Sequence, residues 1–454
     1  MNPAIFREYD IRGVAERDFD AGFARRLGLA YGTLVREAGK RRVSVGRDCR
    51  LTSDRYAAAV VDGLAATGLA VVDLGVCPTP LMYFSLFHWG LDGGIQVTGS
   101  HNPSDYNGFK VCLGTDALYG EQIQELRRLI EAGRFASGSG TVEEWPVVPV
   151  YQDDIVGRVG RLARPIRVVV DAGNGTAGPV APAIYRRLGA EVHELFCDPD
   201  GRFPNHHPDP TLPENMEDLV HAVAARGAEL GIAFDGDADR IGVVDARGRI
   251  IWGDELLVVF ARDVLARNPG AVVVSEVKCS QRLYDDIACH GGRGIMWKAG
   301  HSLLKAKMRE TGALLGGEMS GHIFFKDGYF GYDDAIFAGA RLLDVLARSG
   351  KAVDALLADL PPSHTTPEIR VDCPDDVKFR LAERVRDHFR AAGYEIIDVD
   401  GVRVRFPHGW GLVRASNTQP ALVMRFEAET PAALAEYRRT VEEAMARVRA
   451  ALDG

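Results

Sequence analysis

The chain has 454 residues, 46% hydrophobic and 26% charged, with a formal net charge of −9. That composition is soluble and globular, long enough for about three domains. Its acidic balance argues against nucleic-acid binding, so an anionic ligand would need a local basic pocket. Its seven cysteines include no Cys-x-x-Cys and no apolar run nears the ~20 residues of a bilayer span, so a disulfide framework, a cysteine zinc site and a membrane role are excluded.

In chain order, Phe6–Gly13 is followed by a helical stretch from about Asp20 to Glu37. A strand, Arg42–Asp48, leads to Leu51-Thr-Ser-Asp54, where Ser53 or Asp54 would cap a helix running to Ala66. Strands at Ala70–Leu74 and Gly93–Val97 follow. The second runs into Thr98-Gly-Ser-His-Asn-Pro-Ser-Asp-Tyr-Asn-Gly-Phe-Lys110, with Asn107-Gly108 read as a turn. Gly99 beside Ser100 would let the backbone approach a ligand. A helix fits Gly120–Ala132, and the Gly/Ser-rich Ala136–Gly140 with prolines at 146 and 149 reads as a linker.

Two further blocks repeat the pattern of a buried strand, a polar glycine-rich loop and then a helix. In 148–248 the strands are Ile166–Asp171, Glu191–Phe196 and Leu230–Phe234, the last ending in Asp235-Gly-Asp-Ala-Asp-Arg240. In 249–361 they are Ala271–Val277, Gly294–Trp297 and a third ending in Gly316-Gly-Glu-Met-Ser-Gly-His322. Continuous apolar strands suit parallel sheets, which bind ligands beyond their carboxyl ends. The loops at Ser100, Asp235 and Glu318 all fall there. After Pro361-Pro362, residues 362–454 read as α+β, with a helix at Val377–Ala391, short strands, and a terminal helix opened by Thr430-Pro431. The fold class expected is α/β, with domains at 1–147, 148–248, 249–361 and 362–454.

Asp235, Asp237 and Asp239 alternate on one loop, which suits a hard divalent cation, Mg²⁺ above all if phosphate is involved. An EF-hand would need a glutamate at position twelve, where Ala246 stands. Arg414-Ala-Ser-Asn-Thr offers a fork donor and small donors for a phosphate. Glu318 and Ser320 can read vicinal hydroxyls, and His322 can carry a proton near neutral pH. Lys278, Lys298 and His301 add positive groups at other loop ends. The Arg414 and Glu318 stretches alone are equally polar turns, whereas a buried strand feeding three aspartates directly would be a costly accident; together they ask for phosphoryl transfer on a polyol, which needs mostly positioning and charge neutralisation.

From Phe6-Arg-Glu-Tyr-Asp-Ile-Arg-Gly13 to Arg414-Ala-Ser-Asn-Thr418, these motifs resemble, in order, those of the α-D-phosphohexomutases. The resemblance implies three topologically similar α/β domains and a smaller α+β domain, heart-shaped around a central cleft. It implies that Ser100 carries the phosphoryl group and that Asp235, Asp237 and Asp239 hold Mg²⁺ with a phosphoserine oxygen. Arg240 would help position the site, and Glu318 and Ser320 would read the sugar's 3- and 4-hydroxyls. Arg414, Ser416, Asn417 and Thr418 would hold the phosphate not being transferred. Tyr9, Arg12, Lys278 and His301 match cleft positions, and Lys110, His101 and His322 are the candidates for proton transfer, Lys110 and His322 favoured. Glu-Met-Ser-Gly-His and Asn417 resemble the dual mannose/glucose members, while Ala299 stands where relatives often carry threonine.

The reaction implied interconverts hexose 6- and 1-phosphates, of mannose and glucose, through a 1,6-bisphosphate that reorients in the cleft. Glucose 1,6-bisphosphate or mannose 1,6-bisphosphate would serve as activator. Closure of a mobile fourth domain, hinged near Pro361–Thr366, would exclude water. The partners expected are small sugar phosphates, with no nucleic acid and no membrane. A cytoplasmic monomer without a signal peptide is expected, since the N-terminus is charged early and has no h-region. Alternatives are a phosphoglucosamine mutase, a phosphatase on the same metal site, or an inactive sugar-phosphate sensor.

Overall fold

The computed structural model describes residues 2–417 and 420–453 and contains four sheets. The first has the strand order Ile11–Val14, Tyr106–Leu113, Gly93–Val97, Arg42–Arg47, Ala70–Val76 and Thr141–Glu144, with Asp116–Ala117 beside Tyr106–Leu113. The second runs Ile250–Ile251, Ile241–Asp245, Leu230–Phe234, Arg167–Asp171, Glu191–Leu195, and the third Arg293–Trp297, Val272–Glu276, Leu315–Gly317, Ile323–Phe325. Four strands in each share one plan. Three are parallel, and the third turns back as an antiparallel hairpin partner, through Val97↔Phe109, Phe234↔Ile241 and Gly317↔Ile323. Three blocks of weak mutual identity are therefore one architecture.

The hairpins correct one expectation. The loops at Ser100, Asp235 and Glu318 lead into strands, not helices. Asn107 and Gly108 accordingly lie within Tyr106–Leu113, paired with Gly13 and Arg12, and form no turn. Gly138 and Gly140 are no linker either. Their N–H groups donate to the Ala66 and Ala65 carbonyls at 2.9 Å and guide the chain into the exposed edge strand Thr141–Glu144. That strand has no buried face, so no apolar alternation announced it. The second helix spans Ser53–Ala66 with Thr52 at its cap position and no side-chain cap bond. Ser53 instead donates to Asp48 Oδ1 at 2.5 Å.

Helix Val147–Val159 joins the first and second sheets, and its Tyr151 hydroxyl donates to Asp334, in the third block, at 2.9 Å. Around it one apolar core runs through the first three domains, from Phe84 through Ile155 and Val170 to Phe260 and Phe337. The fourth domain, an antiparallel sheet under helices Asp375–Ala391 and Pro431–Asp453, has its own core around Val385, Val404, Met424 and Val441. No helix of the described residues is long and apolar enough to cross a membrane.

Candidate active site

Ser100 is buried, with φ of 49°, a left-handed backbone uncommon for a non-glycine residue. Arg50 holds that conformation. Its guanidinium donates to the carbonyls of Ser100 (2.8 Å), Asn102 (2.5 Å), Pro103 (2.5 Å) and Tyr106 (2.9 Å). Asp48 lies 3.2 Å from Arg50 Nε and accepts the Gly99 N–H at 3.1 Å. A Cβ at Gly99 would lie 2.5 Å from Arg50 Nε, so the glycine makes room for this guanidinium. The Ser100 hydroxyl donates to Asp235 Oδ2 at 2.8 Å and lies 3.2 Å from His101 Nδ1. Burial, then Arg240 and Arg12, pushes His101 well below the usual histidine range, so it is neutral at pH 7. Arg12 donates to Asp10 at 2.5 Å and to Asn102 at 3.0 Å, beside the same loop.

Asp235, Asp237 and Asp239 are fully buried at the end of Leu230–Phe234. The loop N–H groups of Asp239 and Arg240 donate to Asp235 Oδ1 at 3.0 and 3.1 Å. Thr79, from the first domain, donates its hydroxyl to Asp237 Oδ2 at 2.5 Å and its N–H to the Asp237 carbonyl at 2.9 Å. Lys110 donates to Asp237 Oδ2 at 2.8 Å and to Asp239 Oδ2. Burial alone would lower the lysine; the aspartates outweigh it and hold the ammonium well above its usual range. Burial, with repulsion from Asp237 and Asp239, pushes Asp235 well above the carboxylate range.

The donors fit a divalent metal. One oxygen from each aspartate lies within 4.8 Å of the others, and Asp237 Oδ1 and Asp239 Oδ1 are buried without a hydrogen-bond partner. An all-oxygen set of this charge suits a hard cation. Asp239, His322 and Asp333 also converge, with Asp239 Oδ1, His322 Nδ1 and Asp333 Oδ2 all buried and without a hydrogen-bond partner. Arg240 Nε donates to His322 Nε2 at 3.0 Å, and arginine only donates. Neutral His322 therefore carries its proton on Nδ1, 3.3 Å from Asp333 Oδ2 and 3.7 Å from Asp239 Oδ1.

Glu318 Oε1 accepts the Gly300 N–H at 2.7 Å, and Oε2 takes the Ser320 hydroxyl at 3.4 Å. His322 stacks on His301 with centroids 5.6 Å apart, and His301 meets Tyr9 edge-on. Burial holds His301 well below its usual range. Tyr9 joins three domains: its hydroxyl donates to the Ala299 carbonyl at 2.7 Å and accepts from Asn417 Nδ2 at 2.6 Å. Asp400 Oδ2 accepts from Ala299 N at 3.0 Å and Arg414 Nε at 2.9 Å. Ser416 donates its N–H to the Ala421 carbonyl at 2.9 Å. Thr418 lies outside the described residues. Lys278 lies at the seam with the fourth domain, 3.0 Å from Glu368 and 3.4 Å from Glu276.

The structure thus gathers Ser100, His101, Lys110, the three aspartates, Arg240 and His322 at one junction, and links Tyr9, His301 and Glu318 to Asn417 and Arg414 through Gly300, Ala299 and Asp400. Sequence reasoning missed Asp48, Arg50, Thr79, Glu276 and Asp333. The signal available was an acid-x-base triplet, Asp48-Cys-Arg50 and Glu276-Val-Lys278, at the carboxyl end of two of the apolar strands.

Four family models match the chain in order: phosphoglucomutase/phosphomannomutase alpha/beta/alpha domain I over residues 3–137, domain II over 149–248, domain III over 252–364, and the C-terminal domain over 368–444. A phosphomannomutase/phosphoglucomutase of Pseudomonas putida is 46% identical over 98% of this chain and 96% of its own. One from Pseudomonas aeruginosa is 48% identical over 94% of this chain and 92% of its own. The crystal structure of a phosphoglucomutase/phosphomannomutase family protein from Burkholderia thailandensis superimposes with a TM-score of 0.94, at 48% identity, over 99% of this chain and 98% of that one.

Proposed function

The chain belongs to the phosphoglucomutase/phosphomannomutase family of α-D-phosphohexomutases, and we propose that phosphorylated Ser100 is the group through which it interconverts hexose 6- and 1-phosphates, of glucose and mannose. The observation that carries this reading is the Ser100 hydroxyl held 2.8 Å from Asp235, inside a buried triad of aspartates from the next domain. Identity of 46–48% to enzymes named for this activity does not favour the phosphoglucosamine mutase or phosphatase alternatives.

The phosphoserine gives its phosphoryl group to the free hydroxyl of a bound hexose monophosphate. The 1,6-bisphosphate reorients, and its other phosphoryl group returns to Ser100. Mg²⁺, held by Asp235, Asp237, Asp239 and a phosphoserine oxygen, would neutralise charge on the transferring group. Arg50 keeps the serine loop rigid, and Lys110, set against Asp237 and Asp239 beside it, serves with His322 in proton transfer. His322, with its Nδ1 proton facing Asp333, offers Nε2 to the substrate hydroxyl's proton once Arg240 turns toward phosphate. Glu318 and Ser320 read equatorial 3- and 4-hydroxyls, which glucose and mannose share. Arg414, Ser416, Asn417 and Thr418 grip the distal phosphate. Glucose 1,6-bisphosphate would restore phosphate to an enzyme that has lost it. Seven cysteines without a disulfide support a cytoplasmic location.

A coupled assay with glucose 1-phosphate and mannose 1-phosphate tests this. Wild type turns over both, and Ser100→Ala loses turnover by at least about a thousandfold. Retained turnover in Ser100→Ala would remove Ser100 from the mechanism.

A further inference from the structure

The repeated architecture shows the same local device twice. In the first sheet Val97 pairs with Arg47, and in the third Gly317 pairs with Ser275. The residue after each partner is a buried acid, Asp48 or Glu276. The second residue after Val97 is Gly99, and the second after Gly317 is Met319. Asp48 accepts the Gly99 N–H at 3.1 Å; Glu276 Oε1 accepts the Met319 N–H at 2.9 Å. Two residues beyond each acid stands a base that pairs with it, Arg50 at 3.2 Å and Lys278 at 3.4 Å. The second repeat holds its loop differently, through Thr176, whose N–H donates to the Gly236 carbonyl at 3.1 Å.

In the first repeat the base turns inward and staples the Ser100 loop. In the third, Lys278 reaches outward and donates to Glu368 of the fourth domain at 3.0 Å. Glu276 thus has one oxygen on the backbone between Glu318 and Ser320. Its other oxygen, buried and without a hydrogen bond, faces the lysine that docks the fourth domain.

We propose that Glu276 is a positioning residue for hexose recognition: it sets the Glu318–Ser320 loop through the Met319 N–H and, through Lys278, ties that loop to the docked fourth domain. This rests on the reading of Glu318 and Ser320 as the sugar-contacting pair. Hexose affinity then depends on closure, because undocking Glu368 releases Lys278 to pull on the carboxylate that shapes the loop. The groups facing Glu276 are Lys278, Glu318, Arg414 and Glu368. Burial raises its carboxyl to about 7, against Lys278 and Arg414 and with Glu318 and Glu368, so its charge changes near neutrality.

The test compares wild type, Glu276→Gln and Glu276→Ala with glucose 1-phosphate and mannose 1-phosphate, measuring kcat, KM, the Mg²⁺ concentration for half-maximal rate, and the pH profile of KM. Glu276→Ala removes both contacts and raises KM about tenfold with kcat within about threefold. Glu276→Gln keeps an acceptor for Met319 and raises KM less, and its KM loses the inflection near pH 7. Half-saturating Mg²⁺ stays unchanged in both, since the aspartate loop is untouched. If Glu276→Ala does not fold, Glu276→Gln decides alone. A folded Glu276→Gln with wild-type KM and an unchanged pH profile overturns the proposal, as does an equal loss in kcat and Mg²⁺ response, which would indicate general disruption. Wild type without turnover on either sugar phosphate would overturn the functional reading beneath it, an outcome visible before any variant is compared.

Discussion

Thr79 shows how single residues settle the metal site. Its hydroxyl bonds the same Asp237 oxygen that Lys110 holds, which leaves Asp237 Oδ1 free to face a cation. Thr79→Val keeps the shape and removes the donor. A hydrogen bond to a carboxylate contributes about 1.5–3 kcal/mol, so half-saturating Mg²⁺ should rise about tenfold, read in the coupled assay or by calorimetric Mg²⁺ titration. An unchanged Mg²⁺ response would mean that Thr79 only packs. On the proposed recognition of the hexose by Glu318, Glu318→Gln should raise KM for both sugar phosphates by about tenfold or more, because a charged acceptor is replaced by a neutral one. Residues such as Ser100 and the three aspartates were legible because their chemistry is contiguous in sequence. Thr79, Asp48 and Arg50 were not. Thr79 acts on a residue 158 positions away and Arg50 on one 50 away, and only the acid-x-base spacing of Asp48 and Arg50 marks either locally.

At the scale of elements, the functional unit is the hairpin that ends the third parallel strand of each repeat. A hairpin tip is short, so its few residues must be held from outside, and in the first repeat Arg50 does so. Arg50→Lys removes the fork that reaches four carbonyls, and lysine's point charge cannot replace it. The expected result is a fall in kcat of about a hundredfold and a lower Tm, measured by steady-state kinetics and thermal unfolding. A lower Tm with unchanged kcat would reduce Arg50 to scaffolding. Gly236 shows the complementary constraint, since a Cβ there would lie 2.6 Å from the Ser100 carbonyl. The positions of the parallel strands were readable from their apolar runs. The return strands were not, because Tyr106–Leu113 and Ile241–Asp245 are buried as continuously as the parallel strands and carry no alternation to mark their direction.

At the scale of the whole molecule, the first three domains share a core while the fourth keeps its own and meets the third through a small apolar contact of Val277, Trp410 and Leu412. Polar links dominate that seam. Arg403 donates to the Val277 and Cys279 carbonyls at 2.8 Å, and Arg425 donates to Asp254 at 3.2 Å. Such a seam can open without unfolding either side, as a closing domain requires. Lys278, outweighing the upward push of burial, and then Arg370 draw Glu368 down to about 2. A depressed carboxylate stabilises the docked form above its undocked value near 4.5, and that contribution is lost as pH falls toward 2. Docking should therefore weaken across that acid window, seen as a larger radius of gyration or faster cleavage near Pro361–Thr366. No change in Glu368→Gln, against a clear change in wild type, would assign it to this pair. Intact mass of wild type and Ser100→Ala, after incubation with Mg²⁺ and glucose 1,6-bisphosphate, tests whether Ser100 carries phosphate. Wild type should gain one phosphoryl group, and surrender it when glucose 1-phosphate is added, while Ser100→Ala gains none. Equal phosphorylation of both, or turnover by a protein that never takes up phosphate, would contradict it.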